Sequence, residues 1–182
     1  MEVILATNDA VVQTKSRTVT VSRTEVNRDI DLLTHKHVDG NAEQDLRIRN
    51  AVSSDNAETV DSAVLARYVE FRDARLRRRL QFALAEVRST FADDTISTEE
   101  TFTYDFVLPL EFNDSVLRPL AEYIHRYLVW GALYDWYAQF GSRQAAVYAD
   151  GLDDLERDIV NMLRSPSEGK RPMQPFGPAY KI

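Results

Sequence analysis

The chain has 182 residues, a length that suits one domain with appended arms. Hydrophobic residues make up 44% and charged residues 28%, which is the range of folded globular proteins and excludes wholesale disorder. The net charge of −7 argues against a dedicated nucleic-acid-binding domain, and the absence of cysteine excludes disulfides, zinc–thiolate sites and cysteine nucleophiles. We expect no signal peptide, since the first residues lack a basic stretch and a long apolar run. No apolar run reaches the roughly 20 residues that a membrane span needs.

The first third of the chain, residues 1–56, is predicted to be an N-terminal arm with a short strand and a short helix. Residues 1–16 show no sustained period, so we expect an extended segment with a short strand at residues 3–5. Residues 17–22 alternate and are rich in β-branched side chains, which predicts a strand. Residues 24–33 repeat apolar side chains at i, i+4 and i+7, which predicts an amphipathic helix of about three turns.

The predicted core domain, residues 57–164, opens with a long helix over residues 57–92. Its arginines lie largely off the predicted apolar side, so that side is expected to face the core. The apolar side of this helix consists of one predicted stripe of residues: Val64, Tyr68, Phe71, Leu76, Leu80 (or Arg79), Leu84 and Val87.

A β excursion at residues 95–110 follows the long helix. Residues 102–110 alternate apolar and polar side chains almost perfectly, which predicts a half-buried strand. Pro109 cannot donate a ladder hydrogen bond, so we expect this strand to be an edge strand near its end. Its partner is either the segment 95–99, in a hairpin, or the strand at residues 17–22.

The central helix begins after Asn113, Asp114 or Ser115, any of which can cap it, and it is expected to end at Gly141. Apolar side chains occupy nearly all of its sides, which is typical of a helix buried in a core or lying between subunits. Tyrosine is favoured where one end of a side chain is apolar and the other polar. The candidate subunit interface is therefore Tyr123, Tyr134 and Tyr137.

A last helix carries its apolar stripe to about residue 164, and Gly151 is expected to break it into two pieces. The remaining residues, 165–182, contain four of the six prolines and cannot be helical. They are predicted to be an extended arm that docks on a neighbour, because they keep aromatic and apolar anchors. The candidate contacts of this arm are Arg171, Pro172, Met173, Pro175, Phe176 and Tyr180.

Charge is unevenly spread along the chain. Residues 93–114 hold seven acids and no base, whereas the helix before them is net positive. Zones of opposite sign favour contacts between neighbours in an assembly, although a solvated acidic loop explains them as well. The candidate lumen or polar contacts are Asp93, Asp94, Glu99, Glu100, Arg75 and Arg78.

Groups that could do chemistry are few. The polar segment 35–56 opens with His35 and His37, which could bind a metal only with a third ligand such as Asp39. We interpret His125 as a hydrogen-bonded interior or interface histidine, because the neighbouring Arg126 disfavours the imidazolium and supplies no orienting carboxylate. The carboxylate pairs at residues 93–94 and 153–154 accompany no phosphate-binding or hydrolase motif. We therefore predict no catalytic residue, no metal site and no cofactor.

The order of elements, together with the aromatic run Tyr127-Leu128-Val129-Trp130-Gly131-Ala132-Leu133-Tyr134-Asp135-Trp136-Tyr137, resembles the head-to-tail connector (neck adaptor) proteins of tailed bacteriophages. The resemblance covers about residues 57–182. It implies a mainly α fold, a small bundle of three long helices and a short one, with a small β-hairpin or sheet and extended arms at both ends. It also implies a homo-oligomeric ring, commonly of twelve copies, that binds the portal protein and further neck or tail proteins.

In this interpretation the chain is a structural virion protein at the head–tail junction, assembled in the host cytoplasm. The genome passes through the ring without sequence-specific binding, the protein is not an enzyme, and no membrane is involved. Three alternatives stay open. They are a tail-completion or capsid-associated protein, a DNA-binding regulator that uses the arginine cluster around Arg75 and Arg78, and a metal-dependent enzyme that uses His35, His37 and an acid.

Overall fold

The computed structural model describes residues 13–36, 47, 60–85, 100–140 and 143–164, without the side chains of residues 35, 36 and 60–62. Within these ranges the fold is mainly α, with one two-stranded sheet, which confirms the predicted fold class. A short 3₁₀ helix, Asp114–Val116, precedes the third α-helix. In chain order the elements are β1 (Thr14–Ser22), α1 (Arg23–Lys36), α2 (Val60–Leu80), β2 (Thr101–Pro109), α3 (Leu117–Ala138) and α4 (Gln144–Arg164).

The sheet joins two strands that are distant in sequence. β1 and β2 are antiparallel, with Thr18 opposite Asp105. Two partners were possible for β2, and it pairs with the strand that includes residues 17–22. The other candidate, residues 95–99, lies outside the described ranges. The alternation predicted for β2 is confirmed, because its inward side chains are almost fully buried. They are Phe102, Tyr104, Phe106 and Leu108.

The segment that follows α2 binds the second edge of β2. The Val107 amide donates to the Ala83 carbonyl at 2.7 Å, and the Ala85 amide donates to the Asp105 carbonyl at 2.8 Å. The helix predicted to run to residue 92 therefore ends at Leu80. Its backbone turns away because β2 offers these residues hydrogen bonds that a continuing helix would exclude.

β1 and α1 belong to the core and not to an arm. Val26 and Ile30 of α1 are fully buried, and α1 packs against α3. Buried side chains of β1 and α1 thus form one hydrophobic cluster with the later helices. The arm segments 1–12 and 165–182 lie outside the described residues.

α3 is the centre of the fold, because α1, α2, α4 and β1 all pack on it. The side chain of Asn113 accepts a hydrogen bond from the Ser115 amide at 3.0 Å, which confirms a cap at the start of this region. The α-helix itself ends at Ala138, and Gly141 is outside the described residues. The all-round apolar pattern therefore reflects a helix wrapped by its own chain.

α4 runs without interruption through Gly151, so the predicted break is wrong. A Cβ atom at this position would lie 2.2 Å from Cζ3 of Trp130, far inside van der Waals contact. The indole of Trp130 also packs edge-on against Tyr148. Because Gly151 has no side chain, it leaves room for an aromatic ring between α3 and α4, and it does not break the helix.

The first prediction concerns this contact. In Gly151→Ala, higher helix propensity should raise the free energy of unfolding by about 1 kcal/mol. Overpacking against Trp130 should lower it by about 1–3 kcal/mol, so the net effect is destabilising. Urea unfolding followed by circular dichroism measures the change. In a Trp130→Leu background the same Gly151→Ala change should stabilise the chain, since the ring is gone. Equal effects of Gly151→Ala in both backgrounds would contradict the contact.

Candidate protein-interaction surface

A bidentate charge pair joins α2 to α3. Nε and Nη2 of Arg72 donate to the two carboxylate oxygens of Asp135 at 2.7 and 2.6 Å, and Arg72 is only 4% exposed. The aliphatic stem of Arg72 lies over Gly131, where an added Cβ would come within 2.6 Å of it. A bidentate arginine–carboxylate pair constrains both position and orientation. It therefore holds α2 at one rotation about its own axis.

A second buried cluster joins α2 to the sheet. Asp73 accepts hydrogen bonds from the Tyr104 hydroxyl at 2.5 Å and from Arg77 Nε at 2.7 Å, and the Arg77 guanidinium stacks over the Tyr104 ring. Burial, together with the Asp73 carboxylate, raises the pKa of Tyr104 well above its usual range. The phenol therefore stays protonated and remains a donor. No buried side-chain nitrogen or oxygen of these three residues lacks a hydrogen-bond partner, as a buried network requires.

A third cluster centres on Glu156 of α4, which is 5% exposed. Arg79 donates to one of its oxygens, and Arg75 approaches the other at 3.5 Å. The Tyr127 hydroxyl reaches the same carboxylate from α3 at 3.4 Å. Glu156 thus ties α2, α3 and α4 together at one point.

Most of the predicted apolar stripe of α2 does face the core, and these clusters change the placement of only a few residues. Buried or packed against the core are Val64, Tyr68, Leu76, Leu80 and Leu84. The predicted stripe placed Phe71 inward and the arginines outward, whereas Phe71 is 45% exposed and Arg72 and Arg77 are buried. The exposed side of α2 instead carries residues at i, i+4, i+8 and i+11, which share one helix face. We call this face the α2 outer stripe, and it consists of Arg67, Phe71, Arg75 and Arg78.

Large apolar side chains extend the exposed surface beyond the stripe. Phe82, in the turn after α2, is 46% exposed and lies under the guanidinium of Arg164. Val107 and Leu110, at the edge and end of β2, are also exposed. Arginine and aromatic side chains are enriched in protein interfaces, and a cluster of exposed apolar residues marks an interaction surface.

The other predicted site residues are scattered. Glu100 is exposed, and its carbonyl accepts from the Arg23 amide. Tyr123 and Tyr134 are partly buried, whereas Tyr137 is 1% exposed and stacks on Tyr148 inside the fold. Tyr137 therefore has no surface to offer to another copy. Outside the described residues lie Asp93, Asp94, Glu99, Arg171, Pro172, Met173, Pro175, Phe176 and Tyr180.

A groove of about 600 Å³ opens between α1, α3 and the end of β1. His125 lies in it, with Nε2 at 2.9 Å from Oδ2 of Asp29 on α1. His125 is thus hydrogen-bonded, as expected, and the carboxylate that Arg126 could not supply comes from Asp29, 96 positions earlier in the chain. The hydroxyl of Ser22, also in the groove, accepts from the Glu25 amide and so caps α1. Leu33, Val129 and Trp130 give the groove an apolar floor.

Neither metal binding nor membrane insertion receives support from the described residues. Across these ranges, no group of three or more His, Asp or Glu side chains is placed to hold a metal ion. His37 and the side chain of His35 lie outside them. In the described helices, no segment combines the length and apolarity that a membrane crossing requires.

Comparison of the chain with protein-family models, with curated proteins and with solved structures finds no match.

The Arg72–Asp135 pair generates the second prediction. Arg72→Met leaves the largely buried Asp135 carboxylate, whose side chain is 16% exposed, without its cation, so the free energy of unfolding should fall by about 2–4 kcal/mol. The double variant Arg72→Met/Asp135→Leu removes both charges and should recover most of that loss. Chemical denaturation of the wild type and the two variants measures both changes. A loss under about 1 kcal/mol in Arg72→Met would contradict the structural importance of the pair.

A surface ion-pair cluster generates the third prediction. Asp114, before α3, contacts Lys15 at 2.9 Å and Arg17 at 2.7 Å on β1. The Arg17 hydrogen bonds lower the pKa of Asp114 from its ordinary 3.8 to about 2. Because the folded pKa is depressed, the stabilisation is fully present above pH 3.8 and is lost as the pH falls toward 2. Carboxyl NMR titration should give the low midpoint, and Asp114→Asn should remove this part of the acid dependence of stability.

Proposed function

We propose that this chain is a structural protein of the phage neck, an adaptor that forms a ring between the portal and the tail. The proposal is supported by the order of elements, since a long helix, a β excursion, an aromatic central helix and a closing helix follow one another as in the connector proteins. The observation that carries it is the α2 outer stripe. A surface of three arginines and one exposed phenylalanine suits binding to another protein.

The stripe is a consequence of how the fold uses its charges. Arg72 and Arg77 occupy inward positions, so Phe71 is directed outward even though burying it would stabilise the monomer by about 1.5–3 kcal/mol. An exposed phenylalanine on a rigid helix loses little conformational entropy when a partner covers it. The buried ion pairs therefore hold α2 rigidly, and the stripe is the surface that α2 presents.

In the assembly we propose, the ring has about the twelve copies usual for connectors, binds the portal on one side and receives tail or further neck proteins on the other. The acidic segment 93–114 faces the lumen or a neighbouring copy. A net charge of −7 favours passage of DNA over retention, because like charges repel. The protein acts in the virion, is assembled in the host cytoplasm and uses no cofactor.

Two other functions predict different behaviour. A tail-completion or capsid-associated protein would use the same surface on another partner, and the position of its gene relative to the portal gene separates it from an adaptor. A DNA-binding regulator would need the arginines of α2 for phosphates. Two of them, Arg75 and Arg79, already contact Glu156, and Phe71 interrupts the row, which favours a protein partner.

The fourth prediction tests the stripe directly. Purified full-length chain should form rings, alone or with the portal protein of the same genome, in negative-stain images and by light scattering after size exclusion. Phe71→Asp should weaken this assembly about 100-fold or more, as expected for an anchor worth about 3 kcal/mol. Val147→Asp is the matched control, since Val147 is 51% exposed on α4, outside the stripe.

Three results would contradict the adaptor. The first is a chain that stays monomeric with the portal present, and the second is a Phe71→Asp variant that assembles like the wild type. The third is salt-sensitive binding to duplex DNA without portal binding, which would support the regulator.

A further inference from the structure

The outer edge of β1 presents backbone groups that no described strand pairs, although the Ser16 carbonyl accepts a hydrogen bond from Nη1 of Arg17 at 2.9 Å. In an antiparallel ladder, residues alternate between pairs that bond across the ladder and pairs whose amides and carbonyls point away. The backbone amide of Val107 and the carbonyl of Asp105 bond to residues 83–85, on the side away from β1. Their ladder partners Ser16 and Thr18 therefore direct their own amides and carbonyls away from β2. Thr14, Thr20 and Ser22 follow the same alternation, and none of the described residues forms a strand on this edge. β1 is therefore a nine-residue template for another strand.

The groove described above lies along this edge. Three consecutive residues of β1, from Thr20 to Ser22, line it, whereas β2 contributes none. Leu32 is 51% exposed at its rim. A strand that is added to β1 would therefore run into a groove with an apolar floor at the C-terminal end of β1. Edge hydrogen bonds and side-chain pockets together are what strand addition by an extended peptide requires.

We propose that residues 1–12 of a second copy of this chain bind here as an added strand. Their sequence is Met1-Glu2-Val3-Ile4-Leu5-Ala6-Thr7-Asn8-Asp9-Ala10-Val11-Val12. Val3, Ile4 and Leu5 have high strand propensity and supply apolar side chains for the groove. At about 3.3 Å per residue, the arm spans about 40 Å, which is enough to reach a neighbouring copy.

Proline content favours the N-terminal arm over the C-terminal arm. Residues 1–12 contain no proline, so every internal amide can donate to the β1 edge. Residues 165–182 contain Pro166, Pro172, Pro175 and Pro178, which leave few consecutive donors. The C-terminal arm suits a pocket that binds a proline-rich segment, and not a ladder.

Chain geometry favours a second copy over the arm's own chain. The turn-forming residues in the arm are Asn8 and Asp9, and a tight hairpin built on them places Val3 opposite Thr14. The groove begins at Thr20, about 20 Å further along β1. An arm folded back in this way would leave its apolar residues outside the groove, whereas an arm from another copy can enter with any register.

Because the chain has no cysteine, single-cysteine variants test the exchange cleanly. Full-length Ile4→Cys and Thr20→Cys proteins are mixed and mildly oxidised, and the linked peptides are identified by mass spectrometry. Val3→Cys and Leu5→Cys cover the neighbouring registers. We expect an intermolecular bond between the arm and position 20, and none with Asp154→Cys, whose side chain is exposed on α4. A bond that forms only when both cysteines are in one chain would overturn the proposal in favour of the chain's own arm.

A proline at the edge separates strand addition from folding. The Ser16 amide points away from β2, so Ser16→Pro removes an edge donor while it leaves the β1–β2 ladder intact. We expect Ser16→Pro to reduce cross-linking and self-association about five- to tenfold, with an unchanged melting curve, and Ser16→Ala to behave like the wild type. Cross-linking that is unaffected by Ser16→Pro would overturn strand addition.

The proposal rests on the self-association that the proposed function requires, but the two can fail separately. Rings on the portal that persist at full strength after residues 1–12 are deleted would overturn the arm exchange alone. Arm-to-groove cross-links in a protein that never binds the portal would overturn the adaptor alone.

Discussion

The rotation of α2 about its axis, set by the buried pair between Arg72 and Asp135, is the constraint on which the rest of the structure depends. The pair requires close approach of α2 to α3, and Gly131 provides the space for the arginine stem. Once Arg72 is directed inward, helix geometry also brings Asp73 and Arg77 toward the sheet. The same rotation exposes Phe71. The internal polar network and the external surface are thus two results of one orientation.

The sequence alone predicted those elements whose signals are local. Alternation identified the inner face of β2, and the capping preference of Asn113 marked the approach to α3. On α2 the sequence misplaced Phe71, Arg72 and Arg77, because amphipathic analysis treats arginine as a surface residue. The partner that buries Arg72 lies 63 positions later in the chain. One signal was present in the sequence: Asp135 is the acid within the aromatic run of α3, and an acid buried there requires a cation.

Two further errors also had distant causes. Gly151 resembles a helix breaker until Trp130 of the preceding helix occupies the space above it. Residues 83–85 follow a helical pattern, yet β2 binds their backbone and ends the helix. For the candidate site, the sequence identified Arg75 and Arg78 but not Phe71 or the groove. Those features depend on which faces the other elements cover, and periodicity within one segment does not contain that information.

The pairing of β1 with β2 has a consequence for how the chain folds. Thr18 and Asp105 meet across 87 positions, so a long loop must close before the sheet exists. During synthesis β1 leaves the ribosome well before its partner, and in that interval both of its edges are open. The nascent chain is therefore most exposed to strand-mediated aggregation before β2 is made. β1 carries threonine, serine, lysine and arginine rather than a continuous apolar run. This composition reduces the risk of aggregation until β2 has been synthesised.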